Sequence, residues 1–399
     1  MNPAPHHGLE RFAPLSYGFR PFFLGGTVWS LCAMPLWIAL VTGKLVIAAS
    51  YGAVAWHAHE FLFGYVGAII AGFLLTAIPG WAHRPPIRGG TLLALFVLWA
   101  AGRAVLLFID RIGLVPAAAI DSLFLFSLAA LVFRELLAGK DRRNLKVAAL
   151  VLLLALANLS FHLEILITGA MNYAPRAAVG IIVILISVIG GRITPAFTRN
   201  WLMKRKSALL PRPFSRHDQI SIVVGVIAVI LWVALPESAA TGWAALAAGL
   251  LHAARLARWV GMEAWREPLV LVLHAGYAFL PLGFLLIGAS ILAPQAVPAS
   301  GALHAWTAGA MGTMTLAAMT RASLGHTGRT LTASVATRAI YAAIILAALA
   351  RIAAPAFGAW SMVMLDFAAA AWTAAFAGFV VFYGPILLMP RLVTHQAGS

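Results

Sequence analysis

The chain has 399 residues, 62% of them hydrophobic and only 10% charged, more apolar surface than one soluble core could hide. That composition excludes a soluble globular enzyme and points to an all-α polytopic membrane protein. A net charge of +16 would suggest nucleic acid in a soluble domain. Here Lys and Arg fall in short loops, where the positive-inside rule accounts for them and implies no nucleic-acid partner. The single cysteine, Cys32, lies in an apolar run. Disulfides, cysteine-ligated iron–sulfur clusters and covalent CxxCH haem attachment are therefore excluded, and any cofactor must be held by nitrogen, oxygen or thioether groups.

Apolar runs punctuated by Pro, Gly and charge give about twelve spans of membrane-crossing length. In chain order they cover residues 22–42, 52–79, 91–109, 115–137, 145–168, 175–195, 219–235, 240–260, 268–292, 301–320, 332–353 and 360–388. Residues 1–21 precede the first span without a small-residue cleavage site, so they read as the approach to a retained helix and not as a signal peptide. Most Lys and Arg gather on one side, led by Arg142, Arg143 and Lys146 in one loop and Lys204, Arg205 and Lys206 in another. That side is expected to be cytoplasmic, with both termini inside. The longest loop, near Ala196 to Asp218, is too short and basic to be a catalytic domain. The chain reads as one integral-membrane domain over residues 1–399, lying in the bilayer, with its chemistry among the helices.

Ionisable groups at membrane depth cost several kcal/mol, so a chain that keeps several has a use for them. The histidines sort into two layers. His57 and His59, in Trp56-His57-Ala58-His59-Glu60, join His162 and His304 toward the outer face. His83, His252, His274 and His326 belong to the inner half. His57 and His83 would lie ~39 Å apart along a helix, so no single metal uses both. Residues two apart point about 200° apart, so either His57 or His59 faces a given metal, whereas His57 and Glu60 share a face. Asn158, one turn before His162, offers support to its free ring nitrogen. Below His304, the partly small face of Ala308, Met311 and Thr315 would admit a helix or a flat macrocycle. Imidazole suits copper, zinc and haem iron alike. In the inner layer Arg192, Arg255 and Arg321 could hold haem propionates, and His274 and Tyr277 share a face.

Plainer readings compete. His83 and His326 fit interfacial solvation as well as ligation, and His6, His7, His217 and His395 read as solvated termini or loop. Met311, Met314 and Met319 suit packing better than copper ligation. Glu60 and Glu164 could simply pair with a histidine, although a carboxylate beside an outer metal would also deliver protons. Asp121 and Asp366 lie near span ends and say less. Spans two and ten echo each other, each running from an outer histidine through small residues to an inner histidine and arginine.

Several motifs together resemble the NnrS family: Gly18-Phe19-Arg20-Pro21-Phe22-Phe23, Trp56-His57-Ala58-His59-Glu60-Phe61-Leu62-Phe63-Gly64-Tyr65, Gly190-Gly191-Arg192-Ile193-Thr194-Pro195-Ala196-Phe197-Thr198, His274-Ala275-Gly276-Tyr277 and Met319-Thr320-Arg321-Ala322-Ser323-Leu324-Gly325-His326-Thr327-Gly328-Arg329. The resemblance covers the chain nearly end to end. It implies a bacterial inner-membrane protein of about twelve helices that contains haem and copper and serves denitrification and defence against nitric oxide. It does not assign histidines to metals.

The expected chemistry is reduction of nitric oxide to nitrous oxide, with b-type haem held noncovalently, histidine-ligated copper, Glu60 and Glu164 as proton carriers and a quinol as the donor class the membrane offers. Two alternatives stay open: a nitric-oxide sensor or scavenger without turnover, and a transporter of a small solute or metal. ATP-driven transport is disfavoured, because neither Gly43-Lys44 nor Gly139-Lys140 continues a phosphate-binding loop.

Overall fold

In lipid every backbone N–H and C=O must be satisfied within the protein, and a helix does this locally. Accordingly, the computed structural model, which describes residues 12–392, has helices and no strand among them. His6, His7 and His395 lie outside the described residues. The long helices are α1 (Phe19–Val41), α2 (Ala53–Ala82), α3 (Gly89–Leu107), α4 (Leu114–Ala138), α5 (Leu145–Thr168), α6 (Tyr173–Lys204), α7 (Arg216–Ala234), α8 (Ala239–Ala257), α9 (Pro268–Leu292), α10 (residues 299–326), α11 (Val335–Ala353) and α12 (Ser361–Leu388). Ten of them are long and apolar enough to cross a membrane. α8 and α10 fall short of that measure, being rich in Ala, Gly and Thr and carrying His252, Arg255 and His304.

α6 runs past Pro195, the expected end of its span, to Lys204. The physical reason is visible in its continuation: Thr194, Thr198 and Leu202, one turn apart, keep a buried stripe beyond the proline. His217 lies in the first turn of α7, not in a loop, and its Nε2 is 3.2 Å from the Leu251 carbonyl oxygen.

The chain forms two compact units. Among the described residues, unit 1 takes 12–175 together with 319–331 and 376–392. Within it α4 packs against α2, α3 and α5, and α1 lies against the second half of α2. Phe22 of α1 stacks on Phe124 of α4 at 5.8 Å between ring centroids. Unit 2 takes residues 176–318 and 332–375. In it α9 packs against α8 and the first part of α10, and α7 lies against α8. Lipid is as apolar as leucine, so such contacts stabilise through close fit and internal polar pairs and not through escape from water.

Three helices widen locally into π-helical turns, at Glu60–Val66 in α2, Ile186–Gly190 in α6 and Ala305–Met311 in α10. Those of α2 and α10 begin immediately after His59 and His304, so the echo between these spans extends to backbone geometry. π turns are rare and concentrate where a side chain must be re-aimed for function.

In unit 2 the π turn of α10 presents Trp306, whose Nε1 donates to the Leu280 carbonyl at 3.0 Å. The indole fills the space beside Gly283, where an added Cβ would overlap it. Gly283→Ala is expected to lower the melting temperature in detergent, since overpacking of this kind costs about 1–3 kcal/mol. Gly80→Ala, whose Cβ meets nothing within 4 Å, should leave it unchanged. Equal melting of the two variants would contradict the seating of Trp306.

Candidate metal centre

The centre lies wholly in unit 1 and begins with a pinned loop. Asp110 accepts from the Ala49 and Ser50 amides at 2.8 and 2.9 Å and from Ser50 Oγ at 2.6 Å. These bonds, the Ser50 hydroxyl's first, hold its carboxyl below the ordinary value despite burial acting the other way. The pinned loop delivers Tyr51 to the start of α2. Burial, followed by the charges of Asp121 and Glu60, pushes the Tyr51 hydroxyl well above its usual value against the pull of Arg103. Tyr51 therefore remains a neutral phenol.

At the other end of the first α2 segment, the π turn begins at Glu60. Its inner side holds Gly64, whose carbonyl accepts from Trp99 Nε1 at 2.8 Å. A side chain at Gly64 would overlap the Arg103 guanidinium, so glycine here opens the notch through which α3 delivers a charge to α2. Arg103 Nη1 donates to Glu60 Oε2 at 2.8 Å, and Nη2 donates to Asp121 Oδ1 of α4.

The remaining oxygen of Asp121 is the hub. Oδ2 lies 3.2 Å from His59 Nε2 and 3.0 Å from His162 Nε2, and it accepts from Asn158 Nδ2 at 2.8 Å. Asn158 Oδ1 is 2.8 Å from the same His59 nitrogen. The outer ring nitrogens are engaged too: His59 Nδ1 lies 3.2 Å from Glu60 Oε1, and His162 Nδ1 lies 3.0 Å from the Tyr51 hydroxyl. His59, Glu60, Arg103, Asp121, Asn158 and His162 are all buried, none more than 4% exposed. Two carboxylates are thus met by one guanidinium and by the His59 imidazole, whose two ring nitrogens both face acceptor oxygens. One ligand atom each from His59, Asp121 and His162 can come within 4.8 Å of one another, a donor set able to hold a metal ion.

The histidines expected in the outer layer thus separate. His59 and His162 meet at Asp121. His57 turns away, half-buried, and stacks on Trp37 at 4.3 Å and against Phe61 at 4.7 Å. Glu60, expected on the His57 face, instead lays Oε1 against the His59 ring and gives Oε2 to the Arg103 guanidinium. Asn158 supports His59 and Asp121 where support for His162 was expected. His304 belongs to unit 2, half-buried, with Nδ1 2.7 Å from the Ser300 carbonyl oxygen. The Glu164 carboxylate accepts from the amides of Asn172, Tyr173 and Ala174 at 2.7 to 3.0 Å, capping the start of α6.

Among the inner residues, Arg255 is buried in unit 2. It donates to Asp218 Oδ1 at 2.9 Å, the Ser187 carbonyl at 3.0 Å and the Tyr277 hydroxyl at 2.9 Å. Tyr277 is 3.2 Å from His252 Nδ1, whereas His274 pairs through Nε2 with Thr198 Oγ1 at 2.8 Å. Arg192 and Arg321 are half-buried. His83 ends α2 in the left-handed conformation and is exposed, and His326 stacks on Tyr17.

Sequence reasoning passed over Asp121, Arg103 and Tyr51. A signal was present in the first two, which are opposite charges inside neighbouring apolar spans. Across the whole chain, a family model described as NnrS protein matches residues 13–391. No curated protein matches it.

Arg103→Gln would leave Glu60 and Asp121 buried without their cation, a loss of about 3–5 kcal/mol when one partner of a buried pair is removed. Arg84→Gln removes a guanidinium that is 40% exposed beside Glu135 and should cost about 1 kcal/mol or less. Thermal unfolding of both variants in detergent checks the contrast. Similar losses would mean that Arg103 does not hold the centre together.

Proposed function

The chain belongs to the NnrS family, and on that premise we propose that it reduces nitric oxide to nitrous oxide at a metal held by His59, His162 and Asp121. One observation carries this reading. Both imidazoles direct Nε2 at the same Asp121 oxygen while Nδ1 of each is held from behind, by Glu60 in one case and Tyr51 in the other. Ligating histidines are oriented in this manner by a partner on their second nitrogen. A cation would replace the protons shared between these imidazoles and Asp121, and Asn158 Oδ1 is a further oxygen, 2.8 Å from the same His59 nitrogen.

The family resemblance implies copper and haem without assigning either to particular histidines, and we assign copper to this donor set of two imidazoles and a carboxylate. For haem b, His304 fits best in unit 2. Its Nδ1 is occupied by the Ser300 carbonyl, which leaves Nε2 as the ligating nitrogen, and Arg351 of α11 lies close enough to pair with a propionate. His252 fits less well, because its Nε2 sits 3.0 Å from where a Cβ on Gly225 would be and the backbone of α7 closes the approach. Arg255 is already committed to Asp218. When bound, the two groups supply nitric-oxide binding positions and the electron path for 2 NO + 2 H⁺ + 2 e⁻ → N₂O + H₂O, with a quinol as the donor class.

The chain's own residues place, dry and protonate. Burial of the cluster excludes water, and Arg103 fixes both carboxylates. Glu60 on His59 Nδ1 and Tyr51 on His162 Nδ1 stand behind the ligating nitrogens, where each can hold or pass a proton. We assign Glu60 as the proton carrier and Glu164 to fixing the turn into α6. We also read α1 to α12 as one integral domain spanning the bacterial inner membrane, both termini cytoplasmic. α8 and α10 are each joined by short connections to helices that qualify as spans, and Lys and Arg cluster on one side.

His59→Ala, His162→Ala and Asp121→Asn should each lose bound copper in the purified protein, while His57→Ala keeps it. With reductant present, Glu60→Gln should retain the metal yet slow nitrous oxide release about 100-fold, the scale of general acid catalysis. Stoichiometric nitric-oxide binding without nitrous oxide, under conditions where a nitric oxide reductase turns over, would replace catalysis with sensing or scavenging.

A further inference from the structure

Two motifs stand apart from the metal centre, Gly18-Phe19-Arg20-Pro21-Phe22-Phe23 and Gly325-His326-Thr327-Gly328-Arg329. In unit 1 they meet at one edge, where α1 begins and α10 and α12 end. The His326 ring lies 5.7 Å from both the Tyr17 and Phe19 rings, centroid to centroid. The chain beyond α12 is stitched to the turn after α10 by a 3.0 Å bond from the Leu392 amide to the Thr327 carbonyl. Gly328 permits this approach. Its φ is +76°, and a Cβ there would lie only 2.6 Å from the Leu392 carbonyl oxygen. The same contact lays the Arg391 side chain over the turn, its Cγ 3.6 Å from that Cβ position. Arg391 is also near enough to the Tyr17 hydroxyl to oppose the upward push that burial gives it.

The arginines at this edge are not equivalent. Arg20 directs Nη1 to the Leu387 and Met389 carbonyls, closing the end of α12. Arg329 keeps its Nη1 shielded from water with no hydrogen-bond acceptor among the described residues. Among those residues, none of Arg20, Arg329 and Arg391 pairs with an acid. In the chain segments that adjoin this cationic cluster Phe12, Leu331, Leu388, Met389 and Leu392 are exposed. A compact positive cluster with an unused guanidinium nitrogen, rimmed by apolar side chains at the ends of membrane helices, has the chemistry of a phospholipid headgroup site.

We propose that this edge binds the phosphate of an anionic phospholipid, with Arg329 and Arg391 as its donors, the Tyr17 hydroxyl as a further donor and the apolar rim against the acyl chains. The bound lipid ties the start of α1 to the ends of α10 and α12 and gives the two motifs a shared role independent of the metal.

The full-length protein in nanodiscs of phosphatidylcholine doped with phosphatidylglycerol, analysed by native mass spectrometry, tests this. The wild type should retain phosphatidylglycerol preferentially. Arg329→Gln and Arg391→Gln should each weaken that retention about fivefold, the contribution of one basic residue at an anionic surface. Arg142→Gln, in a different loop, should not. Arg391 is exposed near the end of the chain, so its variant reports even if Arg329→Gln folds poorly. Equal retention of the two lipids by the wild type, or unchanged retention in both variants, would overturn the proposal. Displacement of the lipid by inorganic phosphate at equal concentration would also overturn it, making free phosphate the ligand.

Discussion

The Arg103 guanidinium, clamped between Glu60 and Asp121, is the interaction on which unit 1 depends. A lone charge at this depth would cost several kcal/mol, so each of the three is tolerable only while the others are present. The pairing also ties three helices together, since the residues come from α2, α3 and α4. Two acids face one guanidinium, and the His59 imidazole stands between them as their second partner. Asp121 has one oxygen left for imidazoles, where a metal cation would replace the shared protons.

The backbone is shaped around that pairing. The π turn of α2 opens at Glu60, which reaches the His59 ring and Arg103, and Gly64 within it leaves out the side chain that would block the guanidinium. Unit 2 repeats the device in its own way. Its π turn in α6 supplies the Ser187 carbonyl to Arg255, which also holds Asp218 and Tyr277. In both units a buried arginine is paired with an acid beside a π turn, and a histidine is hydrogen-bonded into the group.

Much of the fold could be read directly from the chain. Apolar runs of membrane length gave the helices and their order, because hydropathy and length suffice where the solvent is lipid. The centre was only partly legible. His59, His162 and Glu60 stood out as ionisable groups within apolar spans. Asp121 was discounted as lying near a span end, yet it is 2% exposed and lies at the hub. Helical spacing sets His57 and His59 on different sides of α2, but which of them meets the cluster depends on Asp121 and Asn158, partners distant in sequence. Tyr51 could not be anticipated at all. It reaches His162 only because Asp110, distant in sequence, pins the loop that carries it.

X-ray absorption at the metal edge, on purified protein loaded with a single equivalent of copper, probes the central claim most directly. The proposed centre predicts two imidazoles and a carboxylate oxygen at about 2 Å, with no sulfur neighbour. This signature should disappear from a folded protein lacking His59, Asp121 and His162. A sulfur scatterer, or an unchanged spectrum after all three are replaced, would place the metal elsewhere and contradict the centre.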